Sequence, residues 1–404
     1  MDIAEQILLK AIQKSLWNTN IEFPEDTDWD AALEEAEKQA VLGVIANAIP
    51  TEVRQKNKGR FAAITAKYVR TLFAQTQVVQ LMEKHQIPMV ILKGAAAAIY
   101  YPVPSQRSMG DIDFFVLDEQ YEKANHTLEE NGYRYLSEHQ DKRHKSYSKD
   151  QMEFEIHRFF SYPDLDIESY IIEGLKHPET RIIDGNPFPT LPKLANGLVL
   201  LSHLIHHFKN GIGLRQLIDW MTYVDKVLDD SFWEKEFKAA AEKTGLLTAA
   251  LVATRSCQLY LGLPLEKASW CIETDSVICQ QFIDSLLTSG NFGRKQGEGN
   301  IIGNITSSFC ENGLFVSLKR LQQIGERNWK AYHRHKWLKP FAWFYQICRY
   351  IRKGLRSKQR KSEMMEEIGN TRKRRELYRT IMLSPNVCAS MSNQPTYPDV
   401  EQLH

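Results

Sequence analysis

Apolar residues recur at helical spacing over the first 85 positions. Ile7, Leu8, Ala11, Ile12 and Leu16 form one stripe, Ala32, Leu33, Ala36, Ala40 and Val41 a second, and Phe61, Ile64, Tyr68, Leu72 and Phe73 begin a third. The period then changes. Pro88 opens "PMVILK", a β-branched run that reads as a buried strand, and Ala95 to Tyr101 reads as a helix ending before Pro102. "DIDFFV" reads as a second strand and "DEQYEKANHTLEENG" as an amphipathic helix capped by Gly132. "YRYLSE", "HKSYS" and "MEFEIHRFF" follow as further strands. From Pro192 the helical period returns, through Leu194, Leu198, Leu201, Leu204 and Ile205 and then Leu214, Leu217, Ile218 and Met221. Ser289 to Asn304 is Gly-rich and reads as a loop, and Ser384 to His404 reads as disordered.

The fold expected is α+β: a small mixed sheet with flanking helices, embedded in a mostly helical chain. Four stretches follow from the pattern: a helical region over 1–85, a compact α/β unit over 86–191, a helical domain over 192–358 and a basic, polar tail over 359–404. At 404 residues there is ample chain to bury a core, and a net charge of +1 selects no partner class. Six scattered cysteines without a C-x-x-C pair read as reduced thiols, which fits a cytoplasmic protein. The N-terminus lacks the basic start and unbroken apolar run of a signal peptide, and no stretch is apolar enough for a membrane span.

Asp111 and Asp113 stand out within the apolar "GDIDFFV" run. On a strand, alternate residues share a face, so the two carboxylates project together. Such a pair resists joint ionisation unless a cation joins it. All-oxygen ligation with open positions suits Mg²⁺, and Mn²⁺ by the same chemistry. In "MEFEIHRFF" the same alternation puts Glu153, Glu155 and His157 on one face, and Glu155 can complete a three-carboxylate site. A bare D-x-D more often caps a turn or faces solvent; its strand context and the later F-E-I-H run argue for the metal reading.

Leu92-Lys93-Gly94, Tyr100-Tyr101-Pro102, Arg107 and Gly110-Asp111-Ile112-Asp113, in this order, resemble an uncharacterised nucleotidyltransferase family of the DNA polymerase beta-like superfamily. "EFEIHRFF" resembles its third-carboxylate element and "LRQLIDWMTYV" its helical segment. The resemblance spans about Met89 to Val224. It implies a nucleotidyltransferase catalytic domain that transfers a nucleotidyl group from an NTP, ATP among them, to an acceptor, with pyrophosphate leaving. Asp111 and Asp113 would bind the metal, and Glu155 would be a third ligand or take the acceptor proton. Lys93, Gly94, Ala95, Arg107 and Gly110 would form the nucleotide-binding side. The Lys93-Gly94-Ala95 turn departs from the superfamily's common Gly-Ser: it has no hydroxyl for a phosphate, and Lys93 would supply a cation instead.

Other features are weaker. His203 and His207 lie four apart on one helix, a metal-compatible spacing, but partly buried imidazoles beside the cleft are the favoured reading. His157, His203 and His207 are acceptor-side candidates. Asp219 reads as an ordinary i,i+4 partner of Arg215. From Lys319 to Arg379 basic residues outnumber acidic ones about fourfold, interleaved with aromatics. Three readings compete there: a helix docked on the protein, an anionic lipid surface and an RNA surface. The acceptor itself is open among small molecule, protein and RNA. Two other functions compete with transfer: a catalytically inactive nucleotidyltransferase-fold binding protein and a D-x-D metal-dependent glycosyltransferase. The glycosyltransferase normally has a nucleotide-binding α/β unit before its D-x-D, and here that segment is mainly helical.

Overall fold

The computed structural model describes residues 1–136, 143–160, 165–291, 295, 318, 321–322, 324–326, 328–329, 331–332, 335–354 and 358–383. Its centre is one mixed seven-stranded sheet. The strands are β1 (Val90–Leu92), β2 (Ile112–Phe115), β3 (Arg134–Tyr135), β4 (His144–Lys149), β5 (Met152–His157), β6 (Glu179–Ile183) and β7 (Asn186–Thr190), in the order β3-β4-β5-β2-β1-β7-β6. β1 runs antiparallel to β2 and parallel to β7, and β2 runs parallel to β5.

β1, and β2 apart from Asp113, are apolar on both faces because both faces are covered. Val90, Leu92 and Phe115 point into the larger core, with the helices Lys193–Phe208 and Leu214–Lys226. Ile91, Ile112, Phe114, Phe154 and Ile156 point the other way, against the helices Lys58–Lys84 and Asp118–Glu130. The N-terminal stripes do not form a core of their own. Leu8, Ile12, Leu33 and Ala36 join Leu198, Leu201, Phe208 and Phe282 in the larger core, so the first two stripes and the helices after the sheet unit close over one sheet face, while Tyr68 and Leu72 of the third stripe lie in the other core.

Two details depart from the sequence reading. The expected Ala95–Tyr101 helix is a single short segment, Gly94–Ala98, because the chain must turn ahead of Pro102 and Pro104. The β6–β7 hairpin is an addition. Its turn is Asp184-Gly185, both at positive φ, a combination that matches the right-handed twist of paired strands. Pro187 and Pro189 obscure it in the sequence, yet β7 meets β1 only at Thr190, so both prolines lie where the strand has one partner. The expected disorder of Ser384 to His404 and most of the Gly-rich stretch lie outside the described residues.

Candidate active site

Two strands bring the acidic residues together. β2 and β5 pair in parallel with Asp113 opposite Glu155 and Phe115 opposite His157, so Asp113, Glu155 and His157 share one sheet face. Asp111, just before β2, is exposed, whereas Asp113 is buried. Oxygens of Asp111, Asp113 and Glu155 all lie within 4.8 Å of one another. Three hard carboxylates this close together are an apt donor set for a small divalent cation. A second set, His144, Glu155 and His157, is equally compact and softer in character.

The site is already electrically organised. Lys93 Nζ lies 2.7 Å from Asp113 Oδ1, and His157 Nε2 lies 2.9 Å from the same oxygen. His157 also approaches Glu155 at 3.5 Å, and His144 does so at 3.6 Å from β4. Burial pulls the His157 pKa down, but hydrogen bonds to Asp113 and Glu155 outweigh it and raise it. Burial pushes the Glu155 carboxyl up, but His157 and Lys93 prevail and hold it at about 2, so it remains a carboxylate at neutral pH.

Lys93 reaches this position through an unusual backbone. Its φ of 52° and ψ of −142° fall in a region that glycine tolerates and a side-chain-bearing residue seldom adopts. Gly94 follows at φ +41°, and a Cβ there would meet nothing within 4 Å. Conformation, rather than space, thus calls for glycine at 94, and its open side faces the cavity. That cavity, about 290 Å³, is lined by Lys93, Gly94, Arg107, Gly110, Asp111, Asp113, Glu155, His157, His203 and His207 among others. Of the expected nucleotide-side residues only Ala95 is not in the lining; it is buried in the second core.

Arg107 is fixed from behind. Its Nε and Nη2 donate to Asp219 Oδ1 and Oδ2 at 2.7 Å each, and Tyr101 Oη donates to Asp219 Oδ1 at 2.7 Å. Burial lowers the Arg107 pKa, but Asp219 more than reverses this, so the guanidinium stays charged. Asp219 is therefore not the i,i+4 partner that the helix spacing suggests. It crosses to the loop before β2, and Arg215 Nη1 instead donates to Ser108 O at 3.2 Å. The reason is reach: burial beside Arg107 offers Asp219 a planar two-point partner.

Histidines form the opposite wall. His203 and His207 rings are 4.6 Å apart, and those of His206 and His207 are 5.1 Å apart. Burial and neighbouring cations depress all three, His206 to about 2 and His207 to about 3, so they are neutral imidazoles. The sequence reading did not single out Arg143, His144, Phe159 and Phe160, which complete the lining. His144 had a usable signal, since alternation in "HKSYS" sets it with Ser146 and Ser148. Its pairing with His157, which aims it at Glu155, is set by register and is not written in either strand. A second cavity of about 580 Å³ meets the first at Gly110, Asp111 and Arg215, and its other walls include Leu42, Ile64 and Met109.

Solved structures with a distant likeness to the chain include two nucleotidyltransferase-type proteins. One is ANT(2")-Ia in complex with adenylyl-2"-tobramycin, at 12% identity and a TM-score of 0.33, covering 43% of this chain and 97% of that one. The other is an antigenic nucleotidyltransferase-like protein from Paracoccidioides brasiliensis, at 14% identity and a TM-score of 0.31, covering 49% of this chain and 95% of that one. No curated protein matches the chain. The family profile described as uncharacterised nucleotidyltransferase matches residues 25–262, more than half of the chain and the whole of the sheet with its carboxylates, and the protein belongs to that family.

Proposed function

We propose that the protein transfers a nucleotidyl group from an NTP, ATP among them, to an acceptor hydroxyl in a Mg²⁺-dependent reaction. The observation that carries this reading is the convergence of Asp111, Asp113 and Glu155 on one cavity that also holds Lys93. In the proposed reaction the acceptor hydroxyl oxygen attacks the α-phosphorus and gives up its proton to Glu155 or to water, the bond to the oxygen bridging the α- and β-phosphates breaks, and pyrophosphate leaves. Asp111, Asp113 and Glu155 would hold the metal, Mg²⁺ or Mn²⁺, which when bound supplies charge neutralisation for the phosphates. Lys93 presents an ammonium to the triphosphate, and the Gly94 backbone lets the chain approach it closely. Arg107, directed by Asp219, adds a fixed positive charge to the wall, and Gly110 keeps the approach to Asp111 open. The intact carboxylate set favours this over a catalytically inactive binding protein, and family membership favours it over a D-x-D glycosyltransferase.

Size separates the two substrates. A cavity of about 290 Å³ is at the small end for a nucleotide site. The adjoining cavity of about 580 Å³ reaches Asp111 from the other side, and the acceptor is placed there in this reading. Its apolar walls and the nearby Arg60 and Lys67 suit an acceptor with an apolar body. His157, His203 and His207 then border the transferring group rather than the acceptor's far end. Incubating the protein with each α-labelled NTP, Mg²⁺ and small-molecule, protein and RNA fractions of a cell extract tests the proposal. A labelled product that needs both metal and Glu155 is expected. No Mg²⁺-dependent NTP binding by the folded protein would refute it.

A further inference from the structure

Among the described residues, none of the basic aromatic segment lines the site. From Arg327 to Ser362 the chain has 12 Lys or Arg and not one Asp or Glu. Its described core is a short turn, Lys336–Phe341, that runs into the helix Ala342–Gly354. The polarity of this unit is inverted. The side turned to the protein carries small or polar groups: Ala342 and Gln346 are buried, and Gln346 Oε1 accepts a hydrogen bond from Asn328 at 3.2 Å. Tyr345 stacks on Trp329 at 4.8 Å. The side turned to solvent carries Trp337 at 71% exposure, Phe341 at 54% and Phe344 at 55%, with Trp343 partly exposed beside them. Trp337, Phe341 and Phe344 lie at helical spacing, and the same line continues through Cys348 to the exposed Arg352.

A helix docked on its own protein would turn these rings inward, so the docked-helix reading fails on exposure. Leaving three large aromatics in water is unfavourable unless something covers them. Charge and order along the chain identify the cover. Trp337 sits between Lys336 and Lys339, but the run from Phe341 to Cys348, with Phe341, Trp343 and Phe344, has no charged residue; Lys336 and Lys339 precede that run and Arg349, Arg352 and Lys353 follow it. Cations on both flanks of an aromatic centre match a bilayer surface, where rings settle at the headgroup level and long basic side chains remain among anionic headgroups. An RNA platform would instead interleave cations with rings to follow a phosphate backbone. No helix among the described residues is long and apolar enough to cross a membrane, so the contact is with the surface.

We infer that residues 336–354 form an interfacial helix that seats Trp337, Phe341 and Phe344 in a bilayer surface carrying anionic lipid. This does not depend on the proposed transfer chemistry. Co-sedimentation of the full chain with vesicles tests it, comparing pure phosphatidylcholine with vesicles of about one-third phosphatidylglycerol. The protein is expected to bind the anionic vesicles and to leave them as salt rises from about 0.1 to 0.5 M. Phe341→Ser with Phe344→Ser should weaken binding at least tenfold. Each basic residue near a membrane contributes roughly fivefold, so Lys339→Glu with Arg352→Glu should weaken it at least about twentyfold. The second pair leaves the rings intact and covers the case in which the first disturbs folding. Equal binding to both vesicle types overturns the proposal. So does binding to single-stranded RNA or self-association, sensitive to these variants, in a protein that ignores vesicles.

Discussion

Asp113 and Asp219 are both buried, both carry a cation within 2.7 Å, and both sit in the same region of the fold. They nevertheless do different work. Asp219 faces Arg107 with both oxygens and takes a third hydrogen bond from Tyr101. Arginine's planar fork satisfies a carboxylate completely and cannot readily be exchanged for another ligand. Asp113 is held by a single lysine point and by His157, and the group opens on a cavity. A lysine on a flexible stem can move aside for a phosphate or a metal. The partner's shape and its access to open space, rather than burial, distinguish an anchor from a site.

The strongest way to sharpen this contrast is Asp113→Asn. Removing one charge from the carboxylate set should lower Mg²⁺-dependent NTP turnover by about a thousandfold or more, because such clamps act on charge that develops during transfer. The melting temperature should shift by only a few degrees, since Lys93 borders the cavity and can be solvated. Steady-state turnover and a thermal melt together check it, and unchanged turnover would remove Asp113 from the site. Asp219→Asn should behave in reverse. It leaves Arg107 buried without a counter-charge, which typically costs about 3–5 kcal/mol of stability. Denaturant titration measures the loss. Tyr101→Phe, Arg107→Met and Asp219→Leu combined should recover most of it, because an apolar replacement removes the desolvation cost with the charges. Turnover by that triple variant then reports how far Arg107 also serves the nucleotide.

The sequence carried Asp113 far better than Asp219. Alternation puts Asp111 with Asp113 on one face of "DIDFFV" and Glu155 with His157 on one face of "MEFEIHRFF", so each half of the site was legible; that the two faces coincide is set by the register of Asp113 opposite Glu155. Lys93 and Gly94 were legible as a turn, but the Lys93–Asp113 contact was not, because it depends on a backbone conformation that lysine seldom adopts. Asp219 was misread because a helix offers Arg215 four residues away, and nothing local signals that Arg107, 112 residues upstream, is the better partner. The helical core was legible as stripes, whereas the sharing of one core by the first and last helical regions was not. Periodicity identifies a buried face and not its neighbour. The β6–β7 hairpin shows the remaining case: Asp184-Gly185 was a turn signal, masked by two prolines.

The smallest effect concerns the histidine wall, where the cavity's two sides oppose each other in sign. His157 has a raised pKa, so its contribution to stability is present at low pH and is lost as pH rises through its folded value. His207 has a depressed pKa, about 3 in the folded protein. Its contribution is therefore complete above the unfolded value near 6.5, and it falls as pH drops, because the unfolded chain takes up a proton that the buried ring does not. At pH 5.5, one unit below that unfolded value, the loss from one such ring is about 1 kcal/mol. His207→Gln removes the group that titrates while keeping a polar side chain of similar reach. Denaturant titrations at pH 7.5 and 5.5 should show wild type losing more stability than the variant by about that amount. Equal losses in the two proteins would mean that the ring is solvated or paired as a cation, and the wall would then belong with Asp113 as part of the charged site instead of standing opposite it as neutral lining.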